Sequence, residues 1–466
     1  MRSHEVLNIA LYLASIAGVG RRISQEGKAV PFRDLLLLGG FGLLVPMILI
    51  RPYFGALAWV VFGLLNPQRF TFGPAYDFPF SLAIALLTFV GMILSRDHRQ
   101  LKGGAAGVVL AVFIVWMTIT TAFALTPTEA LPMWFRVMKI MTMTFVLMAV
   151  LHTKRQAEFL AGAIALSIAF FAVKGGIFTI VTGGTGVVNG PEGSVMEGNN
   201  ALAVANVMTL PLVVYFYQRT SNRLLRLVLV GCMTLFAAAI LGSYSRGAVL
   251  ALGAIGLFLC LRSSHKLLTV IVVITTVLVL VPMMPQHWED RMQTIETYEQ
   301  ESSAMGRIYA WEGALNIAND RILGGGFEYP SEEVRVRYYR GPYISVAHSI
   351  YFQALGEHGF VGLGLFLLFW ALVWRQASQV RKQTRDKPDL RWAYSLMSMT
   401  QVSLVGYAVG GAFLNLAFWD MPYYLYALVV VTAHAVRESN ARVGSVAVVT
   451  DNRGELLPGR RSLSST

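Results

Sequence analysis

Three basic side chains stand at the membrane edge of this chain or in the one large polar stretch beside it. Arg246 opens an apolar run directly after Ser243-Tyr244-Ser245. Arg307 lies in a polar stretch, 285–347. His348 follows that stretch, where the next apolar run begins. A charge beside hydrocarbon is expensive and needs a reason. Guanidinium groups fork onto phosphate oxygens with two parallel hydrogen bonds. An imidazole at a membrane edge is suited to take a proton from a hydroxyl. The pattern points to chemistry on an anionic, lipid-borne substrate at the membrane surface.

Further cationic groups gather on the same side: Arg136 and Lys139 in one span, and Lys174 in the next. Asn199 opens another span there, and the acids Glu357 and Asp420 are few beside them. Cations without matching acids want an anion, whereas a proton or sodium pathway needs acids or carbonyls through the full depth. Each residue also has a plainer reading. Arg136, Lys139 and Lys174 could snorkel to the interface, Arg246 could mark topology, and Arg307 could be a solvated loop charge. Asn199 could cap a helix, Glu357 could serve a polar contact between helices, and a lone His348 is often structural. No Gly-x-x-x-x-Gly-Lys-Ser/Thr run and no Asp-x-Asp pair occur. Nucleotide hydrolysis and a divalent-metal site are therefore not expected, and no cofactor is implied. A departing phosphate would be neutralised by Arg and Lys directly.

The elements that must hold these groups are membrane helices. Of the 466 residues, 55% are hydrophobic and 14% charged, against roughly a quarter charged in a soluble domain. Apolar runs of about 17–25 residues recur, the length that crosses a bilayer. The net charge of +12 sits in short links: Arg96 to Lys102, Lys154-Arg155, Arg219 to Arg226, Arg262 to Lys266, and Arg375 to Arg391. That is the positive-inside pattern, which assigns these links to the cytoplasm and argues against nucleic-acid binding. The acid-rich stretch 285–347 then lies outside. Cys232 and Cys260 each lie within an apolar run and form no disulfide or metal motif. The expected fold is an all-α polytopic membrane protein of about twelve transmembrane helices, with one large periplasmic loop containing short helices. Its parts are an N-terminal cytoplasmic segment (1–33), spans over 34–284, the loop (285–347), spans over 348–436, and a disordered cytoplasmic tail (437–466). Val6–Val19 reads as a surface helix; Arg21-Arg22 follow it, the wrong order for a cleaved signal peptide. Residues 34–65 read as one crossing kinked at Pro46 and Pro52. Within the loop, a helix over Met305–Asn319, capped by Ser302-Ser303, puts Ile308, Trp311 and Leu315 on one face, suited to lie on the membrane.

Ser243-Tyr244-Ser245-Arg246-Gly247 resembles the Ser-Arg-Gly signature of the O-antigen ligase and polymerase superfamily. Gly306-Arg307, Trp311 and Gly324-Gly325-Gly326-Phe327 resemble its external loop. His348-Ser349 through Glu357-His358-Gly359 to Gly362 resembles its histidine motif, with Ser349 where Asn is usual. Arg33-Asp34-Leu35, Arg51-Pro52-Tyr53 and Asn66-Pro67 are similar to an O-glycosylation ligase subgroup. The resemblance covers about residues 33–436. It implies a metal-independent inverting glycosyltransferase at the periplasmic face of a bacterial inner membrane. Such an enzyme moves a glycan from undecaprenyl pyrophosphate to lipid A–core oligosaccharide. His348 would be the base, Arg246 and Arg307 the pyrophosphate ligands, and Arg136, Lys139, Lys174, Tyr244, Asn199 and Glu357 further substrate contacts. An O-antigen polymerase, a protein O-glycosylation ligase and a polysaccharide or lipid transporter are the alternatives. A transporter would show midplane sites and internal repeats, which the sequence lacks.

Overall fold

A computed structural model describes residues 31–95, 103–262, 302–340 and 346–449, with residue 275 alone between them. The expected surface helix Val6–Val19, the span 267–284, the capping contacts of the Ser302 and Ser303 side chains and the last residues of the tail lie outside what is described. Among the described residues all regular structure is helical. Among these described residues, eight helices are long and apolar enough to cross a membrane, and Tyr53–Leu65 and Phe80–Leu94 are shorter apolar helices. The expected total of about twelve counts 34–65 once and includes 267–284.

The first correction concerns 34–65. Helices α1 (Phe32–Ile50) and α2 (Tyr53–Leu65) form a hairpin, not one kinked crossing. Contacts with α3 (Phe80–Leu94) fix the directions. Phe41 of α1 meets Phe80, and Ile48 meets Gly91, so α1 and α3 run parallel. In α2, Gly55 meets Thr88 and Phe62 meets Phe80, so α2 runs back. The cause is local. Pro52 disfavours helical backbone at the preceding residue, and Arg51 is extended at φ −136° and ψ 94°. Pro46 stays inside α1 without ending it.

The remaining long helices alternate in direction: α4 (Gly104–Ala122), α5 (Pro127–Val150), α6 (Lys154–Val181), α7 (Asn199–Arg219), α8 (Arg223–Leu241) and α9 (Arg246–Arg262). The helices α10 (Ser302–Asp320) and α11 (Glu332–Tyr338) follow. Then come α12 (Ile350–Thr384), α13 (Arg391–Gly410) and α14 (Asp420–Val449). One end of this bundle carries the turns 66–77, 183–198, 243–245 and 302–340, and is called here the loop face. The basic links at Lys154-Arg155, Arg219–Arg226, Arg262 and Arg381–Arg391 fall at the opposite end. There Arg262 and Arg381 both donate to Gln401 Oε1, at 2.8 and 2.6 Å. The core is apolar and aromatic: Tyr423, Tyr424 and Tyr426 of α14 are fully buried, with Phe369 of α12 stacked on Tyr423.

One further expectation is corrected. The tail does not lose structure at 437: α14 continues to Val449. Arg437-Glu438-Ser439-Asn440-Ala441 contains no Gly or Pro to stop a helix. His434 and Glu438 pair one turn apart at 3.0 Å, and Lys387 holds Asn440 at 2.8 Å. In α10, Ile308 and Leu315 remain exposed (38% and 41%), while Ala310 and Ile317 pack under Tyr329, Val334, Tyr338 and Tyr339. Small side chains at 310, 313 and 314 let the Tyr339 ring approach, and so set the packing face.

Candidate functional site

The turn between α8 and α9 is tight. Tyr244 takes a left-handed backbone, φ 57°, and is buried. Ser243 Oγ donates to the carbonyl of Ile240, and the Ala248 N–H donates to Ser245 Oγ at 3.3 Å, which caps the new helix. Asn199 Nδ2 donates to the Ser243 carbonyl at 2.7 Å, and the Tyr244 hydroxyl donates to the carbonyl of Gly184. These bonds give Asn199 and Tyr244 turn-building roles. They leave Arg246, half-buried, at the first position of α9 on the loop face. A side chain at Gly247 would press on Phe413 at 3.2 Å, and one at Gly411 would press on Ile350 at 2.9 Å. The turn 411–413 thus joins the Arg246 junction to the start of α12.

His348 stands two residues before α12, half-buried, with φ 44°. A left-handed backbone is unfavourable for a residue with a side chain and persists only where neighbours impose it. Trp311 supplies that constraint. Its Nε1 donates to the Ala347 carbonyl at 2.7 Å, and its ring stacks on Phe352 with centroids 4.9 Å apart and planes 5° from parallel. Arg307 lies one helical turn before Trp311 on the same face of α10, so docking Trp311 also brings Arg307 to His348. Burial, and then the Arg307 charge, push the His348 pKa below its ordinary value. The ring is therefore neutral at neutral pH and able to accept a proton.

A second seam fixes the loop. Gly359 interrupts α12 with φ 68° and ψ −172°. Against this break lies Gly324-Gly325-Gly326, whose residues 325 and 326 donate to the carbonyls of Gly356 and Glu357 at 2.8 and 2.9 Å. A Cβ at Gly324 would fall 2.5 Å from the Gly359 nitrogen, and one at Gly359 would fall 2.3 Å from the Ile322 carbonyl oxygen. Glycine is the residue that permits this approach and these positive φ values. His358 is fully buried beneath the seam: Thr120 Oγ1 is 2.7 Å from its Nδ1, Trp116 Nε1 donates to its carbonyl at 2.9 Å, and Phe113, Phe327 and Phe418 surround its ring. Phe113, Trp116 and Thr120 lie more than 200 residues before His358 in the chain, and no local pattern points to them.

The other expected residues are placed as follows. Glu357 is buried, accepts from Gln353 Nε2 at 3.3 Å and belongs to the loop seam. Gln353 in turn accepts the Ala417 N–H at 3.1 Å. Arg136 is exposed, near enough to the buried Asp420 for its charge to act there. Lys139 and Lys174 are exposed on α5 and α6. Among the described residues no contact joins either lysine to His348.

Residues 231–367 match a family model described as O-Antigen ligase. This domain supports membership of the O-antigen ligase superfamily. The matched segment of the O-antigen ligase domain runs from α8 into α12, so it contains the Ser243–Gly247 turn, Arg307, the Gly324–Gly326 seam and His348 together. Residues 32–221 match a second model, described as a family of unknown function (DUF5935). No curated protein matches the chain. Membership of the superfamily points to a glycan-ligating activity of the glycosyltransferase type, with lipid-linked glycan and lipid as partners, in a multi-pass membrane protein.

Proposed function

We propose that this chain is an inverting glycosyltransferase that ligates undecaprenyl-pyrophosphate-linked O-antigen to lipid A–core oligosaccharide at the periplasmic face of the inner membrane. The observation that carries the reading is the joint docking of Arg307 and His348 through Trp311, on the loop face that also presents Arg246. A neutral imidazole beside a guanidinium suits a reaction in which a proton leaves one substrate and negative charge grows on the other.

In that reaction the acceptor hydroxyl oxygen attacks the anomeric carbon of the donor from the face opposite the pyrophosphate. The new C–O bond forms as the bond to the pyrophosphate oxygen breaks, which inverts the anomeric centre. His348 takes the hydroxyl proton. The electron pair of the broken bond leaves on the lipid pyrophosphate, where Arg246 and Arg307 stabilise the added charge. Arg136, Lys139 and Lys174 contribute positive potential along the same membrane edge. The helical loop, closed at the glycine seam, excludes water that would hydrolyse the donor. No step requires a metal ion.

The test is a reconstitution. Purified protein with undecaprenyl-pyrophosphate glycan, in the presence of chelator, is expected to transfer glycan to lipid A–core. Lengthening of the donor glycan alone would reassign the acceptor to a second glycan, and transfer only to a protein would reassign it to a protein side chain. No transfer to any of the three would overturn the reading.

A further inference from the structure

Away from the His348 group, the loop face holds a concavity. A cleft of about 440 Å³ lies between the turn 66–77 and the turn 183–198, lined by Arg69, Thr71, Phe72, Tyr76, Asp77 and Glu192. Its walls are built, not incidental. Asp34 is fully buried and accepts the backbone N–H groups of Phe72, Gly73 and Ala75 at 3.2, 3.1 and 2.9 Å. A buried carboxylate needs such partners, and here it ties one wall of the cleft to α1. The opposite wall is tied to the candidate site. The Val188 N–H donates to the Gly242 carbonyl at 3.0 Å, and Gly184 accepts from Tyr244. The same turn reaches Arg69 at Gly193, where a Cβ would stand 3.0 Å from the guanidinium. One continuous segment thus runs from the turn preceding Arg246 to the cleft.

The lining chemistry selects the ligand class. Arg69 carries one positive charge and lies over the Tyr76 ring at 4.7 Å. Asp77 and Glu192 are exposed carboxylates. Two acids against one Arg disfavour a phosphate. Exposed carboxylates accept hydroxyl hydrogen bonds, the guanidinium supplies donors, and the aromatic rings offer apolar faces with a polar edge. Phe72, 77% exposed, extends that apolar surface. We infer that this cleft binds a sugar segment of a neutral or amino-sugar oligosaccharide, distal to the reacting unit. The inference rests on the glycosyltransferase reading above. The sugar could belong to the donor glycan or to the acceptor oligosaccharide, since both present the same hydroxyl-rich chemistry.

Saturation-transfer NMR on the full-length protein in nanodiscs tests this. One arm uses lipid-free oligosaccharide released by acid from the donor, and the other uses lipid-free core oligosaccharide. Wild type and His348→Ala are expected to bind one of the two equally, which separates the cleft from the chemistry. Glu192→Gln and Asp77→Asn, both conservative in shape, are each expected to bind about tenfold more weakly, from loss of charge-assisted hydrogen bonds. The arm that responds identifies the source. Equal binding by the cleft variants and wild type, or no binding in either arm, would overturn the assignment. Loss of binding with thermal unfolding unchanged would uphold it, whatever His348→Ala does to transfer.

Discussion

The indole of Trp311 holds the carbonyl of Ala347 at 2.7 Å, one residue before His348. Because Trp311 and Arg307 share a helix face, this single bond sets both the backbone of the candidate base and the position of the cation beside it. Trp311→Phe keeps a ring to stack on Phe352 and removes the donor. A neutral hydrogen bond is worth about 1 kcal/mol, so kcat for transfer should fall roughly five- to tenfold with little change in KM. Rates across a substrate range would check it. A rise in KM with kcat unchanged would show that Trp311 serves binding instead.

Replacing the groups assigned to the chemistry should have larger effects. His348→Ala removes proton transfer, worth about 10²–10⁴-fold in rate. Arg246→Ala and Arg307→Ala each remove a charge-stabilising donor, worth about 10²–10³-fold. All three purified variants should keep their elution profile and melting temperature. Full activity in the three would refute the assigned roles.

The pH dependence has a definite sign. Burial and Arg307 both disfavour the imidazolium, so the His348 pKa lies below its ordinary value. The neutral, proton-accepting form then predominates at neutral pH and is lost as pH falls through the depressed pKa. Arg307→Gln removes the repelling charge and should move that pKa up. Diethyl pyrocarbonate reacts with neutral imidazole. The pH midpoint of its reaction at His348, defined by subtraction of His348→Ala, should therefore be higher in Arg307→Gln than in wild type. An unchanged or lower midpoint would contradict the placement of Arg307.

The glycine seam predicts a stability effect. Gly359 has φ 68°, and a Cβ there would fall 2.3 Å from the Ile322 carbonyl oxygen. Left-handed backbone alone costs roughly 1–2 kcal/mol for a residue with a side chain, and the clash adds to it. Gly359→Ala should lower the melting temperature by several degrees and speed proteolysis within 302–340. Gly364, whose Cβ would meet nothing within 4 Å, is the control, and Gly364→Ala should cleave at the wild-type rate.

Much of this was legible in the chain itself. Long apolar runs marked the helices because the bilayer length leaves few alternatives. Arg246 and His348 stood out by their places at the membrane edge, and Arg307 by the resemblance of its loop motif. The hairpin at Arg51-Pro52 was not legible as a reversal. Apolar periodicity carries no direction, and a proline kink and a proline turn look alike until Gly55 and Gly91 show which helices approach. The extension of α14 beyond Val436 was missed because a polar helix has no apolar face to announce it; His434–Glu438 holds it instead. Glu357 read from its position as a polar contact between helices and from the resemblance as a substrate contact; its bond to Gly326 becomes visible only when the loop folds back on α12.

The interruption at Gly359 has one more effect. Ile350–His358 and Phe360–Thr384 meet at a non-helical residue, and the upper piece is braced from the side by Gly324–Gly326 and Trp311. The long lower rod is anchored separately, by Phe369 on Tyr423 and by Arg381 on Gln401. His348 therefore inherits its place from the folded loop above it and not from the register of the rod below.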